Sequence, residues 1–302
     1  MLMNILKYRP LWYALSGALI ATSIAFVAIF GLKFSIDFTG GSLLSVRYTD
    51  TRPTAIEAGQ VLAELGLGGT VIQPVGEKDM NIRMQTLDEG MHQQILTKLK
   101  DNYGEITELR FDSIGPVIGQ ELRVKSFYAL TIVFIAILIY IGWAFRKVSV
   151  PVQSWKYGLV TVLAAMHDVI IPLGVFALLG KLFGTEIGSP FIAAILTVMG
   201  YSINDTIVVM DRVRENLQKT TGTFHEIVNR SLNQTIARSI NTTITTLLAL
   251  VAVYLFGGAS IKDFALALIV GIVSGAYSSI FFAAPMLVSL YDLGKRLKAR
   301  KQ

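Results

Sequence analysis

The sequence predicts an α-helical polytopic membrane protein of six transmembrane helices, with a small α+β domain inserted between the first two. The chain has 302 residues, of which 53% are hydrophobic and only 16% charged, and its mean hydropathy is +0.56. These values are too apolar for an ordinary soluble protein. Six apolar segments reach the roughly 20 residues that a helix needs to cross a bilayer. They are 11–31, 126–145, 157–180, 190–210, 239–257 and 264–291.

The charges predict how the chain is oriented. Residues 32–125 carry 10 Lys and Arg against 13 Asp and Glu, whereas the rest carries 17 against 8. The positive-inside rule places the basic segments in the cytoplasm, so we expect both termini inside and 32–125 outside. Because the positive charges lie beside spans, nucleic acid is a poor explanation for them. They are Lys7, Arg9, Arg146, Lys147, Lys156, Arg212, Arg214, Lys219 and a tail at 292–302 that includes Lys295 to Lys301.

The first segment, 1–31, resembles a secretory signal in having Lys7 and Arg9 before its apolar run. That run of about 21 residues exceeds a normal signal core, and it ends in GLKF rather than at a small-residue cleavage site. We therefore expect a retained signal anchor that forms the first span.

The residue types also limit the chemistry. The chain has no cysteine and three histidines, which excludes disulfides, thiolate catalysis and Cys-based metal sites. The histidines lie in different segments at no metal-ligand spacing, so we expect neither metal nor cofactor. No nucleophile triad or phosphate loop is present, and an enzyme is not expected.

The inserted domain, 32–125, shows alternating strand and helix patterns. The order is βαββαβ, which predicts a ferredoxin-like split βαβ fold. A proline at 53 is compatible with the first turn of a helix, and 76–79 is a turn between two strands. The predicted strands are 42–49, 70–75, 80–86 and 105–111, and the predicted helices are 53–65 and 88–102.

Two glycine-rich connectors join this domain to the spans. Paired glycines supply backbone angles that other residues avoid, so the simpler interpretation is a tight, rigid turn at each connector. A hinge on which the domain swings is the functional alternative. The residues concerned are Asp37, Gly40 and Gly41 in the first connector and Gly115 and Pro116 in the second.

The cytoplasmic loop at 211–239 contains a predicted amphipathic helix. Thr223 and Glu226 fit a capping box, and apolar residues follow them at helical spacing. Such a helix is typical of a segment lying on the membrane surface ahead of the fifth span.

Asp205 is the leading candidate for a functional residue. With Asn204 it interrupts an uncharged run, and an ionised carboxylate near mid-membrane costs at least about 2.5–3.5 kcal/mol. Arg238 enters the fifth span at a comparable depth, so the two charges can meet. Burial disfavours the charged form of a carboxylate, whereas a nearby guanidinium favours it. An Asp205 that approaches and leaves Arg238 would therefore be suited to reversible proton uptake. A static interhelical bridge is the alternative.

His167 and Asp168 interrupt the third span roughly 15 Å from its cytoplasmic end. They are candidates for the same proton pathway. The alternative is structural: Asp168 is capped by Ser or Thr hydroxyls, and His167 is only hydrogen-bonded. The glycines at 271 and 275 are better explained by close helix packing than by a site.

These residues resemble a known family nearly end to end. The chain is similar to the SecD/SecF family of bacterial protein-export subunits, which belongs to the RND superfamily, and it resembles the family's smaller, unfused member. The longest motif, at 200–216, is highly specific. The matching motifs are DFTGG at 37–41, SIGPVIGQEL at 113–122, MHDVI at 166–170, GYSINDTIVVMDRVREN at 200–216, ARSINTT at 237–243 and YLFGG at 254–258.

The resemblance implies an RND-type membrane half, without enzymatic activity, in the bacterial cytoplasmic (inner) membrane. Its implied partner is a SecD subunit, and SecYEG, YajC, YidC, the translocating polypeptide and membrane lipids are implied neighbours. The family is expected to use the proton-motive force to draw exported chains outward after the SecA and SecYEG stage. The motif aspartate and the arginine before the fifth span fall on Asp205 and Arg238. A third acidic group is expected on the SecD half.

Two other functions remain as alternatives. An RND-type exporter of small molecules or lipids would favour much larger outer domains than 32–125. A passive scaffold that stabilises the Sec channel would tolerate substitutions at Asp205. The bundle charges themselves argue for a second membrane half, because they would otherwise face lipid.

Overall fold

The computed structural model describes residues 4–144 and 152–299 and contains two compact units. Unit 1 comprises Met1–Leu32, Tyr128–Thr185 and Pro190–Gln302, and unit 2 comprises Lys33–Phe127 with Glu186–Ser189. The last of these segments, from the connection between the third and fourth spans, is not part of the inserted domain predicted from the sequence. Phe145, Arg146, Lys147 and the last three residues of the predicted tail lie outside the described residues.

The secondary structure alternates between the two units along the chain. A 3₁₀ turn at Ile5–Tyr8 leads into the first helix, and a π-helical segment at Ser278–Ala283 joins the last two. The elements are α1 (Arg9–Phe30), α2 (Ile36–Thr39), β1 (Gly41–Tyr48), α3 (Ala55–Ala63), β2 (Val71–Val75), β3 (Asp79–Met84), α4 (Glu89–Tyr103), β4 (Ile106–Ile114), α5 (Pro116–Ala144), α6 (Ser154–Phe183), α7 (Ser189–Lys219), α8 (Phe224–Phe256), α9 (Ala259–Tyr277) and α10 (Ala284–Ala299).

Six helices in the described part of the chain are long and apolar enough to cross a membrane, which confirms the predicted number. They extend beyond the predicted spans, because hydropathy reports apolar length whereas a helix continues through any sequence that sustains its hydrogen bonds. The predicted basic tail is accordingly helical as far as Ala299. The candidate spans are Ile5–Phe30, Pro116–Ala144, Ser154–Phe183, Ser189–Lys219, Phe224–Phe256 and Ile261–Ala299.

The prediction of a long loop at 211–239 is wrong, because most of these residues belong to the two long helices α7 and α8. Helix α7 continues to Lys219, and α8 runs without interruption from Phe224 to Phe256. The Thr223 capping box is confirmed, since both of its hydrogen bonds are present. The segment is no separate surface helix, because its apolar side chains are buried inside unit 1. These side chains are Phe224, Ile227, Val228 and Leu232.

The second glycine connector is also shorter than predicted. Helix α5 begins at Pro116, so the following residues form its first turn. A proline is tolerated at this position because a backbone N–H there would have no partner within the helix. A Cβ at Gly119 would lie 2.8 Å from the backbone nitrogen of Gly40, and a Cβ at Gly40 would lie 2.8 Å from the Pro116 Cα. The two connectors therefore contact each other backbone to backbone, which supports the tight-turn interpretation.

Unit 2 contains a four-stranded antiparallel sheet in the order β2-β3-β1-β4. The strand and helix order matches the prediction. Helix α3 begins at Ala55 rather than Pro53, because Thr54 caps it and forms a capping box with Glu57. Burial in the same domain raises the pKa of Tyr48 to about 12. The fully buried core side chains include Leu44, Val46, Leu62, Ile82, Ile95 and Leu99.

Small residues allow the helices of unit 1 to approach closely. A Cβ at Gly271 would lie 2.3 Å from a methyl carbon of Val198, and one at Gly275 would lie 2.9 Å from the Ser202 Cβ. Helices α9 and α7 therefore pack at these glycines, as the sequence predicted. A Cβ at Gly174 of α6 would similarly lie 2.4 Å from the Ser23 Cα of α1.

The packing predicts that Gly271→Ala destabilises the chain. The new methyl group meets Val198, a side chain that is stiff about χ1, and overpacking typically costs about 1–3 kcal/mol. Gly200→Ala on α7 is the matched control, because among the described residues no atom outside the adjoining backbone of its own helix lies within 4 Å of the added Cβ. The midpoint of thermal unfolding in detergent should fall for the first variant only; equal midpoints would contradict close packing at Gly271.

Candidate functional site

Asp168 on α6 is completely buried and accepts hydrogen bonds at both carboxylate oxygens. Its Oδ2 accepts from the hydroxyl groups of Ser202, at 2.5 Å, and Ser278, at 2.6 Å. Its Oδ1 accepts from Ser274 Oγ at 2.8 Å and lies 2.9 Å from His167 Nδ1. The three serines lie on three helical elements other than α6, and their hydroxyl groups hydrogen-bond the carboxylate without a positively charged partner. This is the arrangement that the structural alternative for Asp168 predicted.

His167 packs next to Asp168 among aromatic rings. Its ring lies 5.2 Å from that of Phe282 and 6.0 Å from that of Tyr277, measured between centroids. Its Nε2 is buried and has no hydrogen-bond partner among the described residues. The His167 ring is therefore held in place by stacking and by its contact with Asp168.

Asp205 on α7 is buried, with only part of its hydrogen-bonding capacity used. Its Oδ1 accepts a hydrogen bond of 2.6 Å from Ser239 Oγ. Its Oδ2 is buried without a partner among the described residues. A buried carboxylate oxygen without a donor is costly, so the hydrogen bonding of Asp205 is less complete than that of Asp168.

Arg238 does not form the direct ion pair with Asp205 that the sequence allowed. Within the described residues no nitrogen of Arg238 lies within 4.0 Å of a carboxylate oxygen, and the guanidinium acts on Asp205 only by longer-range Coulomb interaction. The reason is helical geometry: successive side chains diverge by about 100°. Ser239 contacts Asp205, so the preceding Arg238 points elsewhere and is exposed.

Polar side chains, including that of Arg238, are exposed on helices that are candidate spans. Asn204 on α7 and Asn241 on α8 are exposed as well. In the described part of the chain none of these three side chains makes a hydrogen bond or an ion pair. Exposed polar and charged groups of this kind are costly in contact with lipid.

Sequence reasoning missed the serines that surround the two carboxylates. Ser274 and Ser278 are four residues apart and therefore share a helix face, a spacing visible in the sequence. Their partner, Asp168, is more than 100 residues away. The missed hydroxyl donors are Ser202, Ser239, Ser274 and Ser278.

The connector residue Asp37 also has a defined contact. It lies in the short helix α2, and its Oδ2 accepts a hydrogen bond of 2.7 Å from the backbone nitrogen of Ser189. Gly40 and Gly41, which follow, have φ of 71° and 116°. These values lie in the region that favours glycine.

Comparison with known proteins gives consistent matches. The family model described as "Protein export membrane protein SecD/SecF, C-terminal" matches residues 94–293, and the "SecD/SecF GG Motif" model matches residues 25–51. "Protein translocase subunit SecF" from Thermobaculum terrenum is 40% identical, covering 95% of this chain and 94% of the relative. The protein of the same name from Anaerolinea thermophila is 38% identical, with coverages of 95% and 94%.

Two solved structures are also similar. The crystal structure of SecDF from Thermus thermophilus, a translocon-associated membrane protein, matches with a TM-score of 0.83 and 35% identity over 97% of this chain. SecDF in its super-membrane-facing form matches with a TM-score of 0.70 and 34% identity over the whole chain. The chain spans 39% and 40% of those two longer chains. With these similarities extending over nearly its full length, the chain belongs to the SecD/SecF family of protein export membrane proteins.

Proposed function

We propose that the chain is the SecF-type subunit of the bacterial Sec export machinery. Together with a SecD-type partner it uses the proton-motive force to promote late translocation and release of exported polypeptides. The support is similarity of about 40% identity to proteins named translocase subunit SecF over nearly the whole chain. SecYEG, YajC and YidC are the proposed neighbours in the membrane.

The proposed topology is that of a multi-pass protein of the cytoplasmic (inner) membrane. Both termini lie in the cytoplasm and the sheet domain lies outside, by the positive-inside rule. We assign the sheet domain to the ferredoxin-like class, because its βαββαβ order and its antiparallel sheet order β2-β3-β1-β4 suit a split βαβ arrangement.

The observation that carries the proposal is an incomplete charge site within the candidate spans. Asp205 has one buried oxygen without a partner, and Arg238 is an exposed cation that pairs with no carboxylate of this chain within the described residues. Charges in this position normally pair with one another or face a protein interior. A second membrane subunit that covers Arg238 and supplies an acidic group completes the site.

In the proposed mechanism Asp205 carries the proton. Ser239 holds Oδ1 in place while Oδ2 takes up and releases the proton, and Arg238 stays charged throughout. One proton moving through about 100 mV releases roughly 2.3 kcal/mol. That free energy shifts a two-state equilibrium about fifty-fold, which is sufficient to bias a conformational step toward release of the exported chain.

We give Asp168 and His167 a supporting place in the same pathway. Asp168 accepts hydrogen bonds from the hydroxyl groups of three serines on neighbouring helical elements. Its bond to Ser202 fixes α7 almost one turn before Asp205. His167 positions the Asp168 carboxylate and is itself stacked on aromatic rings.

Asp205→Asn should abolish proton-dependent export while leaving membrane insertion and partner binding intact, because the amide cannot carry the proton. The measurement is proton flux and export in vesicles that contain the chain with its SecD-type partner. Asp211→Asn on the same helix is the matched control, since its side chain is 53% exposed and pairs locally with Arg214. Normal export by an inserted Asp205→Asn variant would exclude the carrier role and favour a passive scaffold.

Asp168→Asn should instead lower thermal stability, because its amide nitrogen cannot accept the hydrogen bonds that the serine hydroxyls donate to a carboxylate oxygen. Disrupting such a buried pair costs about 1–3 kcal/mol. The thermal midpoint in detergent measures this effect, again with Asp211→Asn as the control. Unchanged stability combined with loss of proton flux would make Asp168 a carrier rather than a support.

A further inference from the structure

The end of unit 1 at which α10 finishes carries an excess of basic side chains. Asp292 is the last acidic residue of the chain, and the ten residues after it, 293–302, include five Lys and Arg. The Asp292 carboxylate already accepts a hydrogen bond of 2.8 Å from Arg9, and it lies 3.2 Å from His225 Nε2. Three exposed basic side chains beyond it form no ion pair within the described residues, so their charges are available to an anionic partner. They are Lys295, Arg296 and Lys298.

Lys156, near the start of α6, lies against the same part of α10. Its Nζ donates a hydrogen bond of 3.0 Å to the Leu290 carbonyl, and a Cβ at Gly294 would lie 3.0 Å from the same Nζ. The missing side chain at position 294 therefore leaves the room that the ammonium group occupies. An ammonium has three N–H donors, so it can still donate to another acceptor. No carboxylate of the described residues pairs with Lys156.

Lys298 lies on the same face of α10 as Gly294, because the two are four residues apart, about one helical turn. Lys156 therefore approaches α10 one turn before Lys298. The two lysines border one stretch of the surface of α10, and neither is paired with an acidic side chain of the described chain. We call Lys156, Gly294 and Lys298 the basic patch of α6 and α10.

Apolar side chains are exposed beside the basic patch. Leu293 and Leu297, one turn apart on α10, are 52% and 51% exposed. Trp155 on α6 is 57% exposed, and the Nζ of Lys156 lies 5.9 Å from the centroid of its ring. Exposed leucines are unfavourable in water, whereas tryptophan is enriched at the boundary between membrane and water. Apolar and basic side chains combined in this way are typical of a helix that lies at a lipid surface.

We propose that the basic patch of α6 and α10 binds the headgroup of an anionic phospholipid. Lys156 and Lys298 contact the phosphate from α6 and α10, and Leu293 and Leu297 contact the acyl chains. Charge complementarity favours an anionic lipid, because the amine of a zwitterionic headgroup would be repelled by the lysines. Basic pockets between helices at the cytoplasmic side of a membrane bind such headgroups. The inference rests on the proposed topology, which puts this end of unit 1 at the cytoplasmic surface, and does not require export.

The test is a titration of the purified full chain in detergent with short-chain phosphatidylglycerol, followed through the midpoint of thermal unfolding. Phosphatidylglycerol should bind at least tenfold more tightly than phosphatidylcholine of the same chain length, and added salt should weaken it. The double variant Lys156→Gln with Lys298→Gln should bind phosphatidylglycerol roughly twentyfold more weakly, since each basic residue near an anionic lipid contributes about a fivefold factor.

Lys219→Gln is the matched control, because this lysine is 70% exposed and already pairs with Glu215. Its affinity for phosphatidylglycerol should stay within twofold of wild type. Equal affinities of the double variant and wild type, or equal losses in the double variant and in Lys219→Gln, would overturn the site.

Gly294→Leu tests the geometry of the site while keeping every charge. Its side chain would occupy the place of the Lys156 ammonium, so the affinity for phosphatidylglycerol should fall at least threefold. Gly17→Leu on α1 is the control, because no atom outside the adjoining backbone of its own helix lies within 4 Å of an added Cβ. An unchanged affinity of Gly294→Leu would show diffuse attraction to a basic tail and would exclude a defined site.

Inorganic phosphate separates a lipid site from a site for a free anion. At the same concentration it should not displace phosphatidylglycerol, because it makes no contact with Leu293 and Leu297. Displacement would overturn the assignment to a lipid. The proposed function fails separately, since these measurements need neither the SecD-type partner nor export: a chain that binds the lipid but supports no proton-dependent export would leave the lipid site intact and exclude the proposed function.

Discussion

The arrangement of unit 1 depends on one constraint: a carboxylate inside a membrane bundle must obtain its hydrogen bonds from other helices. No water is present in the hydrocarbon region to supply them. Asp168 meets this requirement with hydroxyl groups from α7, α9 and the π-helical segment. Each hydroxyl must face inward at the depth of Asp168. The rotation and height of three elements around α6 are thereby determined together, and so is the position of Asp205 on α7.

The two carboxylates illustrate opposite solutions to the same problem. Asp168 has hydroxyl donors on both oxygens, whereas a hydrogen bond reaches only one oxygen of Asp205 among the described residues. A carboxylate with a complete set of partners stabilises a structure, but one with an incomplete set can respond to its surroundings. Arg238 is close enough to act on Asp205 and is not bonded to it. The two carboxylates thus differ in how completely their oxygens are hydrogen-bonded.

Much of the fold could be predicted from the sequence, because its signals are local. Apolar length located the six helices, alternation predicted the order of strands and helices along unit 2, and Thr223 with Glu226 identified a helix start. The interhelical contacts could not be predicted in this way. Whether Arg238 or its neighbour Ser239 contacts Asp205 is decided by the rotation of α8, which hydropathy does not report. The continuous α8 was missed because burial against protein and burial in a membrane surface select the same apolar side chains.

The π-helical segment Ser278–Ala283 has a consequence for how the last span is compared with its relatives. A π turn accommodates one residue more than an α turn, and one residue corresponds to a rotation of about 100°. The faces of α9 and α10 are therefore out of phase when both are drawn on a single helical wheel. A relative that lacks one residue here can keep both sets of inward-facing side chains by replacing the wide turn with an ordinary one. The segment is a site where the length of the chain can change without changing the faces of the helices.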